Sequence, residues 1–117
     1  MSSQPFHQKS VLSILAATLL LIFSTNIWAF DTEAAKTLAR QNDCFKCHAV
    51  EKKKEGPPYK EVAAKYRGKA NAEERLLTHI TSGEKAKFPD GHEEEHKIIK
   101  TKDAAQIKNL IEWILSL

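Results

Sequence analysis

The 117-residue sequence lacks a strong excess of charge of either sign. It contains 18 Lys plus Arg and 15 Asp plus Glu, which gives a formal net charge of +3. Nucleic-acid binding needs a strongly basic face, so this balance argues against a nucleic-acid partner. The sequence also contains no Ser/His/Asp set, no phosphate-binding loop and no internal repeat. Nothing in it therefore indicates an independent enzymatic activity.

A long hydrophobic run is also missing. The apolar stretch at residues 11–23 falls short of the roughly 18 residues expected of a membrane-spanning helix. Polar residues with Lys9 precede it, and Ile27-Trp28-Ala29 fits a small-residue cleavage site. This layout predicts a secretory signal peptide over residues 1–29, cut after Ala29, with an uncleaved membrane anchor as the alternative. In either case we expect the rest of the chain to lie outside the cytoplasm.

Cysteine is scarce: the sequence has only Cys44 and Cys47, and His48 follows at once. Within one helical turn, this spacing directs both sulfurs at the edge of a flat ring and the imidazole at its centre. The pattern predicts covalent attachment of one haem c, with a thioether from each thiol and His48 as the proximal iron ligand. No cysteine is then left for a disulfide.

Three other interpretations of the two thiols are weaker. A redox dithiol of the thioredoxin kind needs a preceding strand and a βαβ setting, and it leaves His48 unexplained. A zinc site with His92 and His96 would need a spacing of about 12–15 residues, whereas 44 residues separate Cys47 from His92. A disulfide between Cys44 and Cys47 would close a very tight loop.

Cleavage leaves residues 30–117 as one small domain. It has 17 Lys plus Arg against 15 Asp plus Glu, because Lys9 is removed. A domain of this size buries little apolar surface and usually needs an additional stabilising element, such as a disulfide or a bound cofactor. A covalently held haem at the centre of the core would be such an element. Its two propionates would bring the net charge close to neutral.

Capping residues and helical spacing predict four helices in this domain. The predicted start signals are Asp31 or Thr32, Pro58 ahead of a helix at residues 59–66, a capping box of Asn71 with Glu74, and Thr101 or Asp103. The apolar positions assigned to the core or haem wall are Ala34, Ala35, Leu38, Ala39, Tyr59, Val62, Ala63, Tyr66, Leu76, Leu77, Ile80, Ile107, Leu110, Ile111, Trp113, Ile114 and Leu115. Residues 84–100 show no clean period, so they are predicted to form one long loop, which is usually functional. The sequence thus predicts an all-α fold of about four helices around one haem.

Three stretches resemble the short bacterial class I cytochromes c. They are Asp43–Val50 (DCFKCHAV), Gly56–Tyr66 (GPPYKEVAAKY) and Ile111–Ser116 (IEWILS), and the likeness extends over nearly all of residues 30–117. The resemblance implies a periplasmic protein that carries single electrons between larger redox enzymes, with its first and last helices crossing near the haem. It also implies that the Pro57 carbonyl accepts a hydrogen bond from Nδ1–H of His48, which would orient the ring.

The sequence departs from this family in its methionine content. Family members take the sixth iron ligand from a methionine in the loop before the last helix, but the only methionine here is Met1. Counted back from Trp113, His96 lies within a residue or so of the position of that methionine, so we expect His96 to be the sixth ligand. His92, four residues further away, is the alternative, followed by a lysine or an open site.

The neighbours of His96 support this expectation. Ile98 and Ile99 are expected to pack the loop against the haem, while Glu93–Glu95 stay in water. His79 lies among charged neighbours and is expected at the surface or on the propionate side, not as an iron ligand.

An iron with two axial ligands has no open position for catalysis, so we expect a one-electron carrier. Imidazole in place of a thioether predicts a lowered reduction potential. The alternatives are a haem protein that binds or senses nitric oxide or carbon monoxide, and a haem subunit of a larger redox enzyme. We expect a monomer that meets redox partner proteins. A basic rim around the haem edge is predicted to contact an acidic partner, and its residues are Lys46, Lys52, Lys53, Lys54, Lys85 and Lys87.

Overall fold

The computed structural model describes Met1 and residues 30–117. The predicted signal peptide, residues 1–29, lies outside the described residues apart from Met1, so its cleavage stays a prediction. The described part contains five helices and one hairpin: α1 (Thr32–Gln41), α2 (Cys44–Cys47), α3 (Tyr59–Tyr66), α4 (Ala72–Thr81), β1 (Lys85–Lys87), β2 (Glu93–Glu95) and α5 (Ala104–Leu115). None of these helices is long and apolar enough to cross a membrane.

The first and last long helices, α1 and α5, pack against each other in the core. Small side chains on α1 permit this approach, since Ala35 and Ala39 are fully buried, and Trp113 of α5 is buried in the same core. A reciprocal pair of hydrogen bonds also joins them. The N–H of Asp31 donates to Oδ1 of Asn109 at 2.7 Å, and Nδ2 of Asn109 donates to the Asp31 carbonyl at 2.9 Å.

Both helices begin at a predicted aspartate. Oδ1 of Asp31 accepts a hydrogen bond from the N–H of Ala34 at 2.9 Å. Oδ1 of Asp103 accepts from the N–H groups of Ala105 at 2.9 Å and Gln106 at 3.3 Å. These bonds satisfy N–H groups that have no partner inside the helix, which is why an aspartate marks each start.

The predicted capping box at the start of α4 is wrong. Asn71 precedes the helix, but its side chain makes no capping hydrogen bond. Its backbone, at φ −98° and ψ 15°, lies outside the extended region that an N-cap side chain normally needs. The reason is a turn that runs directly into α4, in which the N–H of Ala72 donates to the Lys69 carbonyl.

The helices α3 and α4 cover other parts of α5. Tyr59, Leu76 and Ile80 are buried in the same core as Trp113. Leu77 is 44% exposed and Ala34 of α1 is exposed as well, so their assignment to the core was wrong. The buried face of α4 is a single row formed by Ala72, Leu76 and Ile80, and Leu77 lies beside it.

Residues 84–100 are not entirely a loop, and that prediction was wrong at the hairpin. β1 and β2 pair in antiparallel register, with Lys85 opposite Glu95 and Lys87 opposite Glu93. The strand residues other than Ala86 are charged and exposed, so a single apolar residue is all that marks the two strands in the sequence. The register places residues of opposite charge directly across from each other, an arrangement that favours strand pairing.

Candidate haem site

The two thiols lie on a single helical turn, α2, that follows α1 almost directly. Asp43 adopts a left-handed conformation, with φ 59°, which turns the chain between the two helices. The side chain of Asn42 is buried and fixes this point: its Nδ2 donates to the Leu38 carbonyl at 2.8 Å, and its Oδ1 accepts from the N–H of Lys100 at 2.9 Å. The attachment turn is therefore tied both to α1 and to the segment after the hairpin.

Both thiols are free and neutral in this arrangement. Burial raises the pKa of Cys44, and burial together with a contact from Sγ of Cys47 to Glu55 raises the pKa of Cys47. The two cysteines form no disulfide with each other. Within residues 30–117, no group of three or more His, Cys, Asp or Glu is placed to hold a metal ion, so the zinc interpretation has no support there.

His48 is oriented by the Gly-Pro loop. Its Nδ1 lies 2.8 Å from the Pro57 carbonyl oxygen. A carbonyl only accepts, so Nδ1 carries the proton and Nε2 keeps a lone pair for a metal ion. Burial lowers the pKa of His48, although the Pro57 contact opposes this effect, and the ring is neutral at pH 7.

Gly56 leaves room for this ring. A Cβ atom at Gly56 would lie 2.5 Å from Cε1 and 2.8 Å from Nδ1 of His48, closer than real atoms approach. On its other side, the His48 ring stacks on Tyr59, with ring centres 5.1 Å apart. Tyr59 in turn contacts Phe45 and Trp113 edge to face. The imidazole is thus held between a glycine and an aromatic wall.

A cavity of about 610 Å³ opens beside this imidazole. Cys44, Cys47 and His48 line it from one side, and His96 lines it from the segment after β2. The ring centres of His48 and His96 are 6.1 Å apart. Two imidazoles that share one metal ion through bonds of about 2.0–2.1 Å have ring centres roughly 6 Å apart, so this separation suits a bis-histidine iron.

His96 is itself partly buried and lacks a partner for one nitrogen. Its Nδ1 is buried without a hydrogen bond among the described residues. Burial, and then the nearby imidazoles of His79 and His48, lower the pKa of His96 to about 4. The ring is therefore neutral at pH 7, the form that binds a metal. Of the two neighbouring isoleucines, Ile99 is buried as expected, whereas Ile98 is 47% exposed, so its expected packing was wrong.

His92, the alternative ligand, lies at the hairpin turn and does not line the cavity. Its Nδ1 is paired with Asp90, and its Nε2 lies 3.3 Å from Glu94. Its ring stacks on Phe88, with ring centres 4.4 Å apart. Asp90, followed by Glu94, raises the pKa of His92. These contacts hold the His92 ring against the residues of the hairpin turn and away from the cavity.

A cluster beside His96 contains His79, which was expected at the surface or on the propionate side, together with Arg75 and Glu84, which were not foreseen as part of the site. The ring of His79 lies against that of His96, with centres 4.0 Å apart. Glu84 Oε1 lies 2.6 Å from both His79 Nδ1 and Arg75 Nη2. The signal available in the sequence was the spacing of Arg75 and His79, which places them one turn apart on α4 and next to the buried positions Leu76 and Ile80.

The residues around the cavity fit a haem. Two buried polar side-chain atoms lack a hydrogen-bond partner in the described part of the chain, Nη1 of Arg75 and Nδ1 of His96, and both residues line this cavity. A guanidinium suits a haem carboxylate, and an imidazole suits iron. The apolar remainder of the lining, which includes Leu110 and Ile114, suits the ring itself.

A helical cage that closes on a Cys-x-x-Cys-His turn has the architecture of a c-type cytochrome. Residues 32–117 match the family model described as Cytochrome c, and the chain belongs to the cytochrome c family. The cofactor of the family is one covalently bound haem c with its iron, and its members are electron carriers that act with redox partner proteins.

Individual relatives agree. The chain is 40% identical to cytochrome c-551 of Allochromatium vinosum, over 68% of this chain and 82% of that protein. Among solved structures it resembles the class 1 cytochrome MtoD from Sideroxydans lithotrophicus ES-1, with 68% identity, a TM-score of 0.72, and coverage of 75% of this chain and 97% of that one. It also resembles Nitrosomonas europaea cytochrome c552, with 33% identity, a TM-score of 0.54, and coverage of 69% and 96%. The expected class I cytochrome c fold is confirmed, with a small antiparallel sheet added.

Proposed function

We propose that this protein is a periplasmic one-electron carrier whose haem is attached to Cys44 and Cys47 and ligated by His48 and His96. The observation that carries the proposal is the pair of imidazoles that line one cavity with their ring centres 6.1 Å apart. When bound, the haem supplies a ferric/ferrous couple that takes up and releases one electron. With both imidazoles bound, the iron would have no open position, which favours electron transfer over the binding of small ligands or catalysis.

The proposed carrier works at a lower potential than methionine-ligated relatives. Residues 30–117 contain no methionine, so the thioether ligand that raises the potential is absent there. The carboxylates of Glu93–Glu95 add little, because Lys85 and Lys87 lie directly opposite Glu95 and Glu93. The change of ligand type is therefore the main cause of the lowered potential.

Low-temperature EPR of the ferric protein tests the ligand pair. We expect a low-spin bis-histidine spectrum in the wild type and in His92→Ala, and a high-spin spectrum with a changed potential in His96→Ala. Because His79 lies against His96, the double variant His79→Ala/His96→Ala is needed to exclude a substitute imidazole. A low-spin spectrum with an unchanged potential in that double variant would falsify the assignment of His96.

Export is part of the same proposal. The N-terminal pattern of residues 1–29 supports a cleaved signal peptide, and c-type haem is attached outside the cytoplasm in bacteria. Mass spectrometry of the exported protein should find Phe30 as its first residue. A membrane-bound protein that still contains residues 1–29 would instead support the uncleaved anchor.

Docking to an acidic partner is proposed to rest on fewer lysines than the predicted rim contained. Lys46 is paired with Asp43 at 3.1 Å, Lys54 donates to the Phe45 carbonyl, and Lys85 and Lys87 lie opposite glutamates. Lys52 and Lys53 are exposed and take part in no ion pair within residues 30–117. The positive charge that attracts an acidic partner is therefore assigned mainly to Lys52 and Lys53.

Charge reversal at these positions tests this assignment. We expect Lys52→Glu/Lys53→Glu to slow electron transfer with the native partner several-fold at low ionic strength, and the difference to fade with added salt. Lys102→Glu is the matched control, since Lys102 is also exposed but lies just before α5, outside the loop that joins the attachment turn to Gly56. A wild-type rate that does not change with ionic strength would count against a basic docking surface.

A further inference from the structure

Glu84 lies where the chain leaves α4, and its carboxylate binds back to that helix. Oε1 of Glu84 accepts hydrogen bonds from Nη2 of Arg75 and from Nδ1 of His79, both at 2.6 Å. Arg75 is the first cause of a lowered pKa of Glu84, and His79 the second, so the carboxylate is ionised at neutral pH. Hydrogen bonds to an ionised acceptor are stronger than neutral ones.

The backbone of the same residue binds the distal segment. The N–H of His96 donates to the Glu84 carbonyl at 2.9 Å. A second tie lies three residues further on, where the N–H of Ile99 donates to the Ile80 carbonyl at 2.8 Å. Gly83, with φ 71°, turns the chain so that Glu84 can reach both α4 and His96.

The side chain and backbone of Glu84 thus act on the same imidazole. Its carboxylate fixes His79, whose ring packs against the His96 ring with centres 4.0 Å apart and planes inclined by 38°. Its carbonyl fixes the backbone of His96. The helix to which these contacts lead is anchored in the core by Leu76 and Ile80. Apart from this cluster, β1 and β2 are short, exposed and charged, so the hairpin itself supplies little rigidity.

We infer that Glu84 is the positioning residue of the distal imidazole: it holds His96 over the cavity by fixing His79 against its ring and by accepting from its backbone N–H. The inference rests on the proposed function, in which His96 is the sixth iron ligand. Loss of the carboxylate would increase the fraction of molecules in which His96 has left its position. An external ligand would then bind more tightly in proportion to that fraction.

Azide binding to the ferric holoprotein measures this fraction. We expect Glu84→Ala to bind azide about tenfold more tightly than the wild type, as the loss of about one charge-assisted hydrogen bond predicts. Glu84→Gln keeps the size of the side chain and one hydrogen-bond acceptor, so we expect its azide affinity to lie between those of the wild type and Glu84→Ala. His79→Ala should resemble Glu84→Ala. Glu74→Ala, an exposed glutamate on α4, is the matched control and should bind azide like the wild type.

Two measurements keep the outcomes distinct. The melting temperature from circular dichroism separates a structural role from positioning: a lower melting temperature with wild-type azide affinity in both Glu84 variants overturns the inference. If Glu84→Ala yields no holoprotein, Glu84→Gln decides alone, and wild-type affinity in it also overturns the inference. The variant His96→Ala tests the proposed function separately. If His96→Ala binds azide tightly but both Glu84 variants keep the wild-type azide affinity, only the role of Glu84 is contradicted. Wild-type azide affinity in His79→Ala/His96→Ala contradicts the ligand assignment itself.

Discussion

The two sides of the cavity are built in opposite ways. On the proximal side, His48 is held by neighbours in the sequence: the N–H of His48 donates to the Cys44 carbonyl at 2.9 Å, and its Nδ1 contacts Pro57 only nine residues away. On the distal side, the chain around His96 is mostly exposed and highly charged. It is fixed by contacts with Asn42 and with α4, which come from distant parts of the chain.

This difference separates two kinds of imidazole placement. The proximal ring lies in a rigid slot between Gly56 and Tyr59, so its position follows from local geometry. The distal ring depends on a few hydrogen bonds between separate elements, and such regions open at a lower free energy than the core does. We therefore expect changes on the proximal side to act on the presence of the haem, and changes on the distal side to act on its ligation.

The largest expected effect is on the proximal side. Replacing both thiols, in Cys44→Ser/Cys47→Ser, should abolish covalent attachment completely, because residues 30–117 contain no other cysteine. Mass spectrometry of the wild type should show the peptide plus one haem, and the double variant should show the peptide alone. Extraction of the wild-type haem into acid–acetone would contradict covalent attachment.

A second change tests the rigid slot. Gly56→Ala should lower the free energy of unfolding by about 1–3 kcal/mol, the usual cost of an overpacked site, because the new Cβ strikes the His48 ring. Denaturant unfolding of the holoprotein measures this, and the haem spectrum should change with it.

Gly68→Ala is the matched control for this variant. Gly68 has φ 75°, but a Cβ atom added there would meet no other atom within 4 Å. Its replacement should therefore cost about 1–2 kcal/mol of backbone strain and leave the haem spectrum unchanged. An unchanged spectrum in Gly56→Ala as well would mean that the slot is not rigid.

The smallest expected effect lies in the hairpin. Lys87→Glu places two like charges opposite each other at Glu93 and should cost about 0.2–1 kcal/mol. Exchanging the charges, in Lys87→Glu/Glu93→Lys, should restore most of the stability. Both proteins should keep the wild-type EPR spectrum, because the Lys87–Glu93 pair lies toward the turn of the hairpin, whereas the N–H of His96 binds the Glu84 carbonyl at the opposite end, next to the Lys85–Glu95 pair. A high-spin spectrum in Lys87→Glu would show that the hairpin itself positions the ligand.

Much of the fold could be predicted because its signals are local. Residues 59–66 form α3 as expected, and Asp31 and Asp103 cap the helices that follow them. The hairpin was not predicted although Pro89-Asp90-Gly91 is a turn signature, since strands of three residues, Lys-Ala-Lys and Glu-Glu-Glu, are too short and too charged to show a strand pattern. The exposure of Leu77 also escaped prediction, because two adjacent leucines fit the helical spacing equally well and only the packing of α4 on α5 selects one of them.

The amino-acid sequence alone determined which groups are available around the haem: two thiols and an imidazole at one helical turn, a Gly-Pro loop after them, and no methionine beyond Met1. These features depend only on adjacent residues and on composition, so they can be predicted without knowing which distant parts of the chain come into contact. The resemblance favoured His96 over His92 by position, but only the tertiary structure decided which ring lies beside His48, since His79, His92 and His96 differ in their surroundings and not in their chemistry. The turn at Asp90 directs His92 to the hairpin, whereas the contacts of Glu84 with α4 bring His96 to the cavity.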